Sequence, residues 1–318
     1  MMRTTIVGAL VSLVLCGVCG AAVAPADLAT TIDAHSAAVT SLGMAPDGTV
    51  LFSASKDGRV KLWDVATHNL VLDVPACQVG INDLAVSPDG TFVATAGDDG
   101  YVKVWDALTA DLLVAIPAHQ GAANCVAVSP DSLYIYSGGD DGYLRVWSIE
   151  ENYAKLVECY AHYNGVNDLV LNAAGTYVFT AGADGFVKVF SALGGTLESS
   201  ILAYERGEVR CLALNHLEAC LATGGTNGEV RIWDAATGSL AKKIRAHAGT
   251  VTHVGFNDDD SLLITGGEDG KIKLWNRDGE LAGEMQAHVL GVRDFLLHAD
   301  QLITGGADYK VRFWDRKF

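Results

Sequence analysis

The sequence predicts an all-β fold made of seven repeated units, each with four short strands. One phrase, "SASKDGRVKLWD", ends at Asp64 and returns as "TAGDDGYVKVWD", ending at Asp106, and as "SGGDDGYLRVWS", ending at Ser148. The aromatic residue just before each end continues along the chain at spacings of 39 to 43 residues. A period of this length is typical of repeat architectures. The seven aromatic positions are Trp63, Trp105, Trp147, Phe190, Trp233, Trp275 and Trp314.

The first unit shows how a repeat divides into strands. Its segments read "AVTSLGMA", "TVLFSAS", "RVKLWD" and "ATHNLVLDV", and "PDG" and "KDG" separate the first three. Gly and Asp favour tight turns, because glycine tolerates positive φ and an aspartate side chain can hydrogen-bond within the turn. The pattern predicts four antiparallel strands per unit.

Composition and charge exclude some classes of function. The chain has 318 residues, 50% of them hydrophobic, and 35 glycines, which suits many short strands joined by turns. Its formal net charge is −16 and its pI is about 4.8. A nucleic-acid-binding protein needs a basic face to replace counterions, so nucleic acid is not expected as a partner.

The N-terminus is predicted to be a secretory signal peptide. Arg3 precedes an uncharged apolar segment at residues 6–24, and small residues follow. This order is typical of a signal peptide, and we expect cleavage between Ala22 and Asp27, after Ala26. The alternative is an uncleaved membrane anchor, because 19 apolar residues can just span a bilayer. In either case the repeats are expected to be exported: secreted, periplasmic or in the secretory pathway.

The cysteines give no sign of a disulfide framework or a zinc site. Cys16 and Cys19 lie in the predicted signal peptide, and the five that remain are an odd number without metal-ligand spacing. We interpret those five mainly as small buried apolar side chains. The sequence also has no phosphate-binding glycine motif, so no metal or cofactor is expected.

The repeat resembles the WD40 family over essentially all of residues 27–318. "WD" closes four units, a Gly-bearing "DG" turn lies six residues before the aromatic position in most units, and Ala-His opens five units, at His35, His119, His162, His247 and His288. The resemblance implies a seven-bladed β-propeller with four antiparallel strands per blade. It also implies a protein-interaction scaffold rather than an enzyme.

The predicted domains are a signal peptide at residues 1–26 and a single propeller at residues 27–318. The last unit stops after its third strand, and "DLATTIDAH" at the start of the propeller reads as a fourth strand. We therefore expect residues 27–33 to complete the last blade, which removes an open sheet edge. The repeats are expected at about 34–75, 76–117, 118–160, 161–202, 203–245, 246–286 and 287–318 plus 27–33.

Four units carry a complete set of His, Ser or Thr, Asp and Trp. Such a set can be mistaken for a catalytic triad. The resemblance instead implies a buried network in which Asp accepts from His and the hydroxyl accepts from the Trp N–H, so these residues are structural and no catalytic residue is expected. The four sets are His35, Ser53, Asp57, Trp63; His119, Ser137, Asp141, Trp147; His247, Thr265, Asp269, Trp275; and His288, Thr304, Asp308, Trp314.

Three units depart from this set. Cys77 stands in the His position of the second unit, Phe190 replaces Trp in the fourth, and Tyr204 and Asn227 replace His and Asp in the fifth. We expect the fifth blade to have the weakest network. Cys77 is interpreted as a drifted structural position, and the alternative is a reactive thiol.

WD40 propellers commonly bind partners on the face formed by the loops that enter strand one and by those between strands two and three. Aromatic, amide and acidic residues at these positions favour a protein or peptide partner with basic residues. The alternative for the aromatic residues is that they only cover the third strand. The predicted contact residues over blades two to four are Asn82, Asp98, Tyr101, Asn124, Asp140, Tyr143, Tyr163, Asn167 and Phe186, with Arg210 and Arg293 as a second, weaker contact.

The sequence therefore predicts a non-enzymatic scaffold that is itself a monomer. No membrane partner is expected beyond an N-terminal anchor. The alternative function is an exported enzyme or small-molecule sensor that uses the central channel, which would need titratable groups or metal ligands converging there.

Overall fold

Seven four-stranded antiparallel sheets surround a central channel in the computed structural model, which describes residues 26–316. Within that range no helix has the length and hydropathy needed to cross a bilayer. The predicted signal peptide lies outside the described residues except for Ala26. The seven sheets confirm the predicted fold.

Each blade takes four consecutive strands, except that the last blade is completed by the first strand of the chain. The strands are β1 (Asp27–Asp33); β2 (Val39–Met44), β3 (Val50–Ser55), β4 (Arg59–Asp64) and β5 (Leu70–Pro75) in blade one; β6 (Ile81–Val86), β7 (Phe92–Gly97), β8 (Tyr101–Asp106) and β9 (Leu112–Pro117) in blade two; β10 (Ala123–Val128), β11 (Tyr134–Gly139), β12 (Tyr143–Ser148) and β13 (Ala154–Tyr160) in blade three; β14 (Val166–Leu171), β15 (Tyr177–Gly182), β16 (Phe186–Ser191) and β17 (Leu197–Leu202) in blade four; β18 (Val209–Leu214), β19 (Cys220–Gly225), β20 (Glu229–Asp234) and β21 (Leu240–Arg245) in blade five; β22 (Val251–Phe256), β23 (Leu262–Gly267), β24 (Lys271–Asn276) and β25 (Leu281–Gln286) in blade six; and β26 (Val292–His298), β27 (Gln301–Gly306) and β28 (Lys310–Asp315), with β1, in blade seven.

Burial within a blade follows the position of the strand. The second strand of blade two, β7, is buried along its whole length, because neighbouring strands and blades cover both faces. The fourth strand, β9, is mostly exposed and forms the outer edge of its sheet. The first strand, β6, lines the channel. Side chains that reach a partner at the channel must therefore come from first strands or from the loops that precede them.

The hydrophobic core is divided into seven clusters, each between two neighbouring blades. Between blades two and three, Phe92 and Val104 of one blade pack with Ile135 and Trp147 of the next. Burying one such large side chain stabilises a fold by about 1.5–3 kcal/mol. The packing of blade against blade makes the ring a rigid frame for the loops above it.

The ring closes by pairing the two ends of the described chain. β1 lies antiparallel to β28, with Leu28 opposite Trp314 and Asp33 opposite Lys310, and the Lys310 ammonium also forms an ion pair with the Asp33 carboxylate. The sheet order β1-β28-β27-β26 confirms the predicted closure. β1 thus covers the edge of β28 and becomes the outer strand of blade seven.

The turns on the face opposite the loops that enter each first strand also link blades. In the acidic stretch "NDDDS", Asp260 accepts hydrogen bonds from the Asn215 amide and from the backbone N–H groups of His216 and Leu217, at 2.8 to 3.1 Å. These donors belong to the first hairpin turn of the preceding blade. This turn is therefore a joint between blades five and six.

Candidate partner-binding site

The top face is the side of the ring formed by the loops that enter each first strand and those between second and third strands. The His, Ser or Thr, Asp and Trp sets fix these loops to the third strands. In blade three, His119 Nδ1 lies 2.9 Å from Asp141, His119 Nε2 lies 2.9 Å from the Ser137 hydroxyl, and Trp147 Nε1 donates to that hydroxyl at 3.2 Å. Blades one, six and seven contain the same three contacts, at 2.7 to 3.0 Å, in their sets.

The protonation of these sets favours a structural role. Burial lowers the pKa of His119 and outweighs the effect of Asp141, so the imidazole is neutral and its Nδ1–H donates to the carboxylate. Burial acts to raise the pKa of Asp141, but hydrogen bonds from His119, Gln120 N–H and Arg145 outweigh it and hold that pKa low. With Trp147 donating to the same hydroxyl, Ser137 has no free face for attack on a substrate.

Blade four contains a fifth network that lacks only the tryptophan. His162 Nε2 lies 2.8 Å from the Thr180 hydroxyl and His162 Nδ1 lies 2.9 Å from Asp184. Phe190 occupies the Trp position and is buried, so it fills the volume without supplying an N–H donor. The network is therefore shortened by one bond.

In blade two the network is interrupted at Cys77. The Cys77 thiol donates to Asp99 at 3.1 Å, while Trp105 donates to Thr95 at 3.1 Å. Burial, reinforced by the Asp99 carboxylate, raises the pKa of the thiol. A raised pKa disfavours the reactive thiolate, so this environment favours the structural interpretation of Cys77.

Blade five replaces the imidazole with a phenol. Tyr204 is buried, and its hydroxyl donates to the Thr223 or Glu229 carbonyl oxygen, each 3.0 Å away, beside the Thr223 hydroxyl. Trp233 donates to the Thr223 hydroxyl at 3.0 Å as in the complete sets. The Tyr204 side chain thus reaches the centre of the network without using Asn227, a solution that the sequence pattern did not predict.

The basic residue two positions before each aromatic position is part of this framework. Lys103 and Lys273 each donate to the carbonyl of the alanine before the His position, at 3.0 and 2.7 Å, whereas Arg145 and Arg312 pair with the aspartates of their own sets at 2.7 and 2.9 Å. These four cationic side chains already have partners within the protein. They do not form a basic stripe for a partner.

The predicted asparagines lie at the mouth of the channel, where they connect neighbouring blades. Each is the second residue of its first strand, and its amide donates to a backbone carbonyl of the next blade. Thr40 and Thr252 do the same with their hydroxyl groups. The five contacts of this mouth ring are Thr40 to Ile81 O at 2.9 Å, Asn82 to Ala123 O at 2.8 Å, Asn124 to Val166 O at 3.0 Å, Asn167 to Val209 O at 2.9 Å and Thr252 to Val292 O at 2.7 Å.

The two predicted acidic residues differ in their pairing. Asp98 forms an ion pair with Lys56 at 2.8 Å, and Lys56 also donates to the Asn82 side-chain oxygen. Asp140 is exposed and accepts from the Asn124 amide at 2.9 Å, without a cationic partner among residues 26–316. Asp140 is therefore the stronger candidate to form an ion pair with a basic residue of a partner.

The predicted aromatic residues lie on the outer rim of the top face, away from the asparagines. Tyr101, Tyr143 and Phe186 each begin a third strand and are opposite the end of an outer strand. Tyr143 packs edge-on against Tyr160 at 5.4 Å between ring centroids and under the Arg145 guanidinium at 4.7 Å. Tyr163, in a top loop, is 68% exposed. The prediction placed amides and aromatics together, and the structure separates them into a mouth ring and a rim.

Four exposed apolar residues of the top face were not predicted. Val79 precedes the first strand of blade two, and Val289 and Leu290 precede that of blade seven. Tyr309 lies in the loop between β27 and β28 and is 46% exposed. Only Tyr309 had a sequence signal, since "DY" stands where the other six units have "DG" or "NG".

Below the mouth ring a second ring of side chains lines the channel. Asp83, Asp168 and Asp294 each accept the backbone N–H of a residue in the next blade, Val126, Leu212 and Leu42 respectively, at 2.7 to 2.9 Å. Burial raises the pKa of Asp83 to about 7 and that of Asp168 to about 6. These carboxyl groups act as joints between blades, and the described residues contain no cluster of His, Cys, Asp or Glu that could hold a metal ion.

His253 lies in this second ring beside Asp294, and this position explains why its pKa is raised. Burial lowers the pKa of His253, but the Asp294 carboxylate, 3.0 Å from Nδ1, outweighs burial and the net shift is upward. Cys125 and Cys211 occupy the same ring, and all five cysteines of the described residues are free thiols.

Comparisons with known families agree with this architecture. The model for the WD domain, G-beta repeat, matches residues 26–64, 69–106, 111–148 and 279–315, and the model for the Vps8 beta-propeller matches residues 154–276. No curated protein has a sequence that matches this chain. The chain is thus a seven-bladed β-propeller with WD40 repeats in the segments that this family model matches. Propellers of this kind are typically protein-interaction scaffolds and usually not enzymes.

Proposed function

We propose that this protein is a non-enzymatic scaffold that binds a protein or peptide partner across its top face. The observation that carries this proposal is the presence of exposed aromatic and apolar residues on loops fixed by buried hydrogen-bond networks. Tyr163 and Val289 are 68% and 82% exposed. Their backbone N–H groups nevertheless donate to Asp184 and Asp308, which belong to the buried His, Ser or Thr, and Asp networks, called clamps below. Apolar side chains presented on rigid loops lose little entropy on binding.

The rim of blades two to four is the proposed main contact. Tyr101, Tyr143 and Phe186 supply apolar area at three successive blades, and unpaired Asp140 supplies negative charge. We infer a partner with lysine or arginine residues, and association that slows with added salt. The protein itself is proposed to act as a monomer.

The proposed location is outside the cytosol. Arg3 and the apolar segment at residues 6–24 support export. Ala26 packs in the cluster between blades six and seven, so cleavage just before it leaves this contact in place, whereas cleavage after it removes the contact. Mass spectrometry of the native protein should find an N-terminus between residues 23 and 27. An intact Met1 on a cytosolic protein would exclude export.

Affinity capture with the propeller as bait, followed by mass spectrometry, identifies the partner. Direct binding of that partner is then measured with a Tyr101→Ala, Tyr143→Ala variant. We expect most binding to be lost while the melting temperature changes by no more than about 2 °C, since both side chains are partly exposed. The matched control is Leu108→Ala, because Leu108 is 85% exposed in a turn on the opposite face. Equal loss in the control would refute a top-face site.

A further inference from the structure

Two positions of the mouth ring do not connect blades. Blades five and seven place Arg210 and Arg293 where the other five blades place the Asn or Thr that donates to the next blade. Among residues 26–316 neither guanidinium takes part in a side-chain hydrogen bond or an ion pair. In blade five the Cys211 thiol donates to the next blade instead, to Val251 O at 3.6 Å. Both arginines are therefore free to donate to a ligand.

The two arginines line one cavity at the top of the channel. This cavity has a volume of about 230 Å³, and its other lining residues include Lys56, Thr40 and Thr252 but no acidic residue. Lys56 is already paired with Asp98. In a chain whose formal net charge is −16, the mouth of the channel thus presents two unpaired positive charges.

The carboxylates deeper in the channel do not use these donors. Asp168 and Asp294 accept backbone N–H groups from neighbouring blades at 2.9 and 2.7 Å. Arg210 lowers the pKa of Asp168, although burial, the Leu212 hydrogen bond and His253 affect that pKa more. The arginines are therefore not internal counterions in direct contact with the second ring.

A backbone outlier lies on the same side of the top face. Tyr309 has φ of 70°, at the position where the other six blades have glycine with φ between 76° and 82°. At one of these glycines, Gly270, a Cβ would lie 2.2 Å from the His288 carbonyl oxygen. Positive φ is unfavourable for a tyrosine, and retained outliers of this kind concentrate at functional positions. Exposed Val289 and Leu290 belong to the same blade.

We propose that the channel mouth binds one carboxylate of an acidic residue in a protein partner, between Arg210 and Arg293, while apolar neighbours of that residue pack on Val289, Leu290 and Tyr309. The inference deepens the proposed function and rests on it. It adds an acidic contact in the mouth to the basic contacts expected on the rim of blades two to four.

A carboxylate fits this mouth better than a phosphate group. Planar guanidinium groups bind carboxylates and phosphates alike through paired hydrogen bonds, so the charge below the mouth decides between them. A phosphate dianion would bring a second negative charge above Asp83, Asp168 and Asp294 and would be repelled by them. The Thr40 and Thr252 hydroxyls at the mouth already donate to the next blade. Arg210 and Arg293 are therefore the donors that remain for a single anion.

The test selects a phage-displayed library of random peptides on the purified protein. The enriched peptides are then measured against an Arg210→Gln, Arg293→Gln variant, a Tyr309→Gly variant, the Tyr101→Ala, Tyr143→Ala variant, and Arg245→Gln as a control. Arg245 is an exposed arginine on β21, remote from the mouth. We expect enrichment of Asp or Glu beside apolar residues. We also expect about a tenfold or greater loss of affinity in the double arginine variant and none in Arg245→Gln.

Tyr309→Gly separates binding from folding. It restores the residue of the other six blades, so the melting temperature should not fall, yet affinity for the selected peptides should decrease. Peptides that bind the double arginine variant as well as the wild type but lose affinity in the Tyr101→Ala, Tyr143→Ala variant would overturn this inference and leave the proposed function standing. Peptides unaffected by every top-face variant would overturn both. Displacement by inorganic phosphate at lower concentration than by acetate, at equal ionic strength, would identify a phosphate site instead.

Discussion

At the scale of single residues, the hydroxyl group is the centre of each clamp. In blade three the Ser137 side chain is fully buried and has contacts with His119 and Trp147. A buried polar group that loses a partner costs more than an ordinary hydrogen bond contributes, about 1–3 kcal/mol. Loss of one member should therefore cost more stability than the single bond that it makes.

Removal of the side chain at the Asp position should cost different amounts in blade three, which has Asp141, and in blade five, which has Asn227. Asp141 holds His119, Gln120 N–H and Arg145, so Asp141→Ala is expected to lower the free energy of unfolding by about 1–3 kcal/mol. Among residues 26–316, Asn227 accepts only from Glu229 N–H, so Asn227→Ala should cost about 1 kcal/mol or less. Urea unfolding measures both. Equal costs would show that the network assignment is wrong.

Cys77→His should repair the interrupted network of blade two. The glycine next to the imidazole in blade three, Gly139, has its counterpart at Gly97, so blade two retains space for the ring. A bond to Thr95 should add about 0.5–1.5 kcal/mol of stability. Cys77→Ala is the control and should be less stable than the wild type, because Asp99 loses one of its donors and keeps Lys103 and the Tyr101 N–H. A histidine variant less stable than the alanine variant would contradict this interpretation.

The sequence predicts the four complete sets because their spacing repeats. It does not predict that the Tyr204 hydroxyl replaces the imidazole beside Thr223, because that contact depends on the local course of the backbone. It does not reveal that Arg210 and Arg293 are unpaired either. That property depends on contacts between blades about forty residues apart, which no single repeat contains.

At the scale of elements, the outermost strand of blade seven comes from the other end of the chain. β1 supplies six residue pairs with β28, and Tyr309 O accepts from Ala34 N and His35 N at 3.2 and 3.1 Å. The strand pattern and the missing fourth strand predicted this pairing. The role of Asp260 as a joint was not predicted, since an acidic turn looks the same in sequence whether or not a neighbour donates to it.

Deletion of residues 27–34 should open the ring. It removes β1 and leaves β28 as an exposed edge beside the buried residues Phe313 and Trp314. We expect the melting temperature to fall by at least about 5 °C, together with aggregation, because an unpaired hydrophobic edge strand associates with other chains. Differential scanning calorimetry and light scattering measure these effects. Unchanged unfolding would refute the closure.

At the scale of the whole molecule, the channel joins all seven blades and makes stability depend on pH. Asp83 and Asp168 face the channel with Ser41, Cys125, Cys211, His253 and Asp294, and Arg210 and Arg293 lie above them. The raised pKa values mean that the folded state holds protons which the unfolded state has already lost. The contribution of these two carboxyl groups to stability therefore falls as pH rises through 6 to 7.

An Asp83→Asn, Asp168→Asn variant should lack this contribution. Between about pH 5.5 and about pH 8, the wild type should lose about 1 kcal/mol per carboxyl relative to the variant, since both residues are only partly buried and solvent reduces the full effect. The measurement is the free energy of unfolding at both pH values. Asp47→Asn, in an exposed turn, is the control, because hydrogen bonds from Thr49 hold the pKa of Asp47 below its usual value, so it stays ionised at both pH values and should not change the difference. Parallel curves for wild type and double variant would contradict the prediction.

The central claim is that the partner binds the top face of a rigid propeller. Hydrogen–deuterium exchange of the protein with and without its captured partner tests this most directly. We predict protection in the top loops, at residues 78–80, 98–101, 140–143, 162–165, 183–186, 288–291 and 307–309, with no change in the turns at 46–48, 88–90 and 258–260 on the opposite face. Protection confined to those opposite turns, or to the outer strands, would contradict the account.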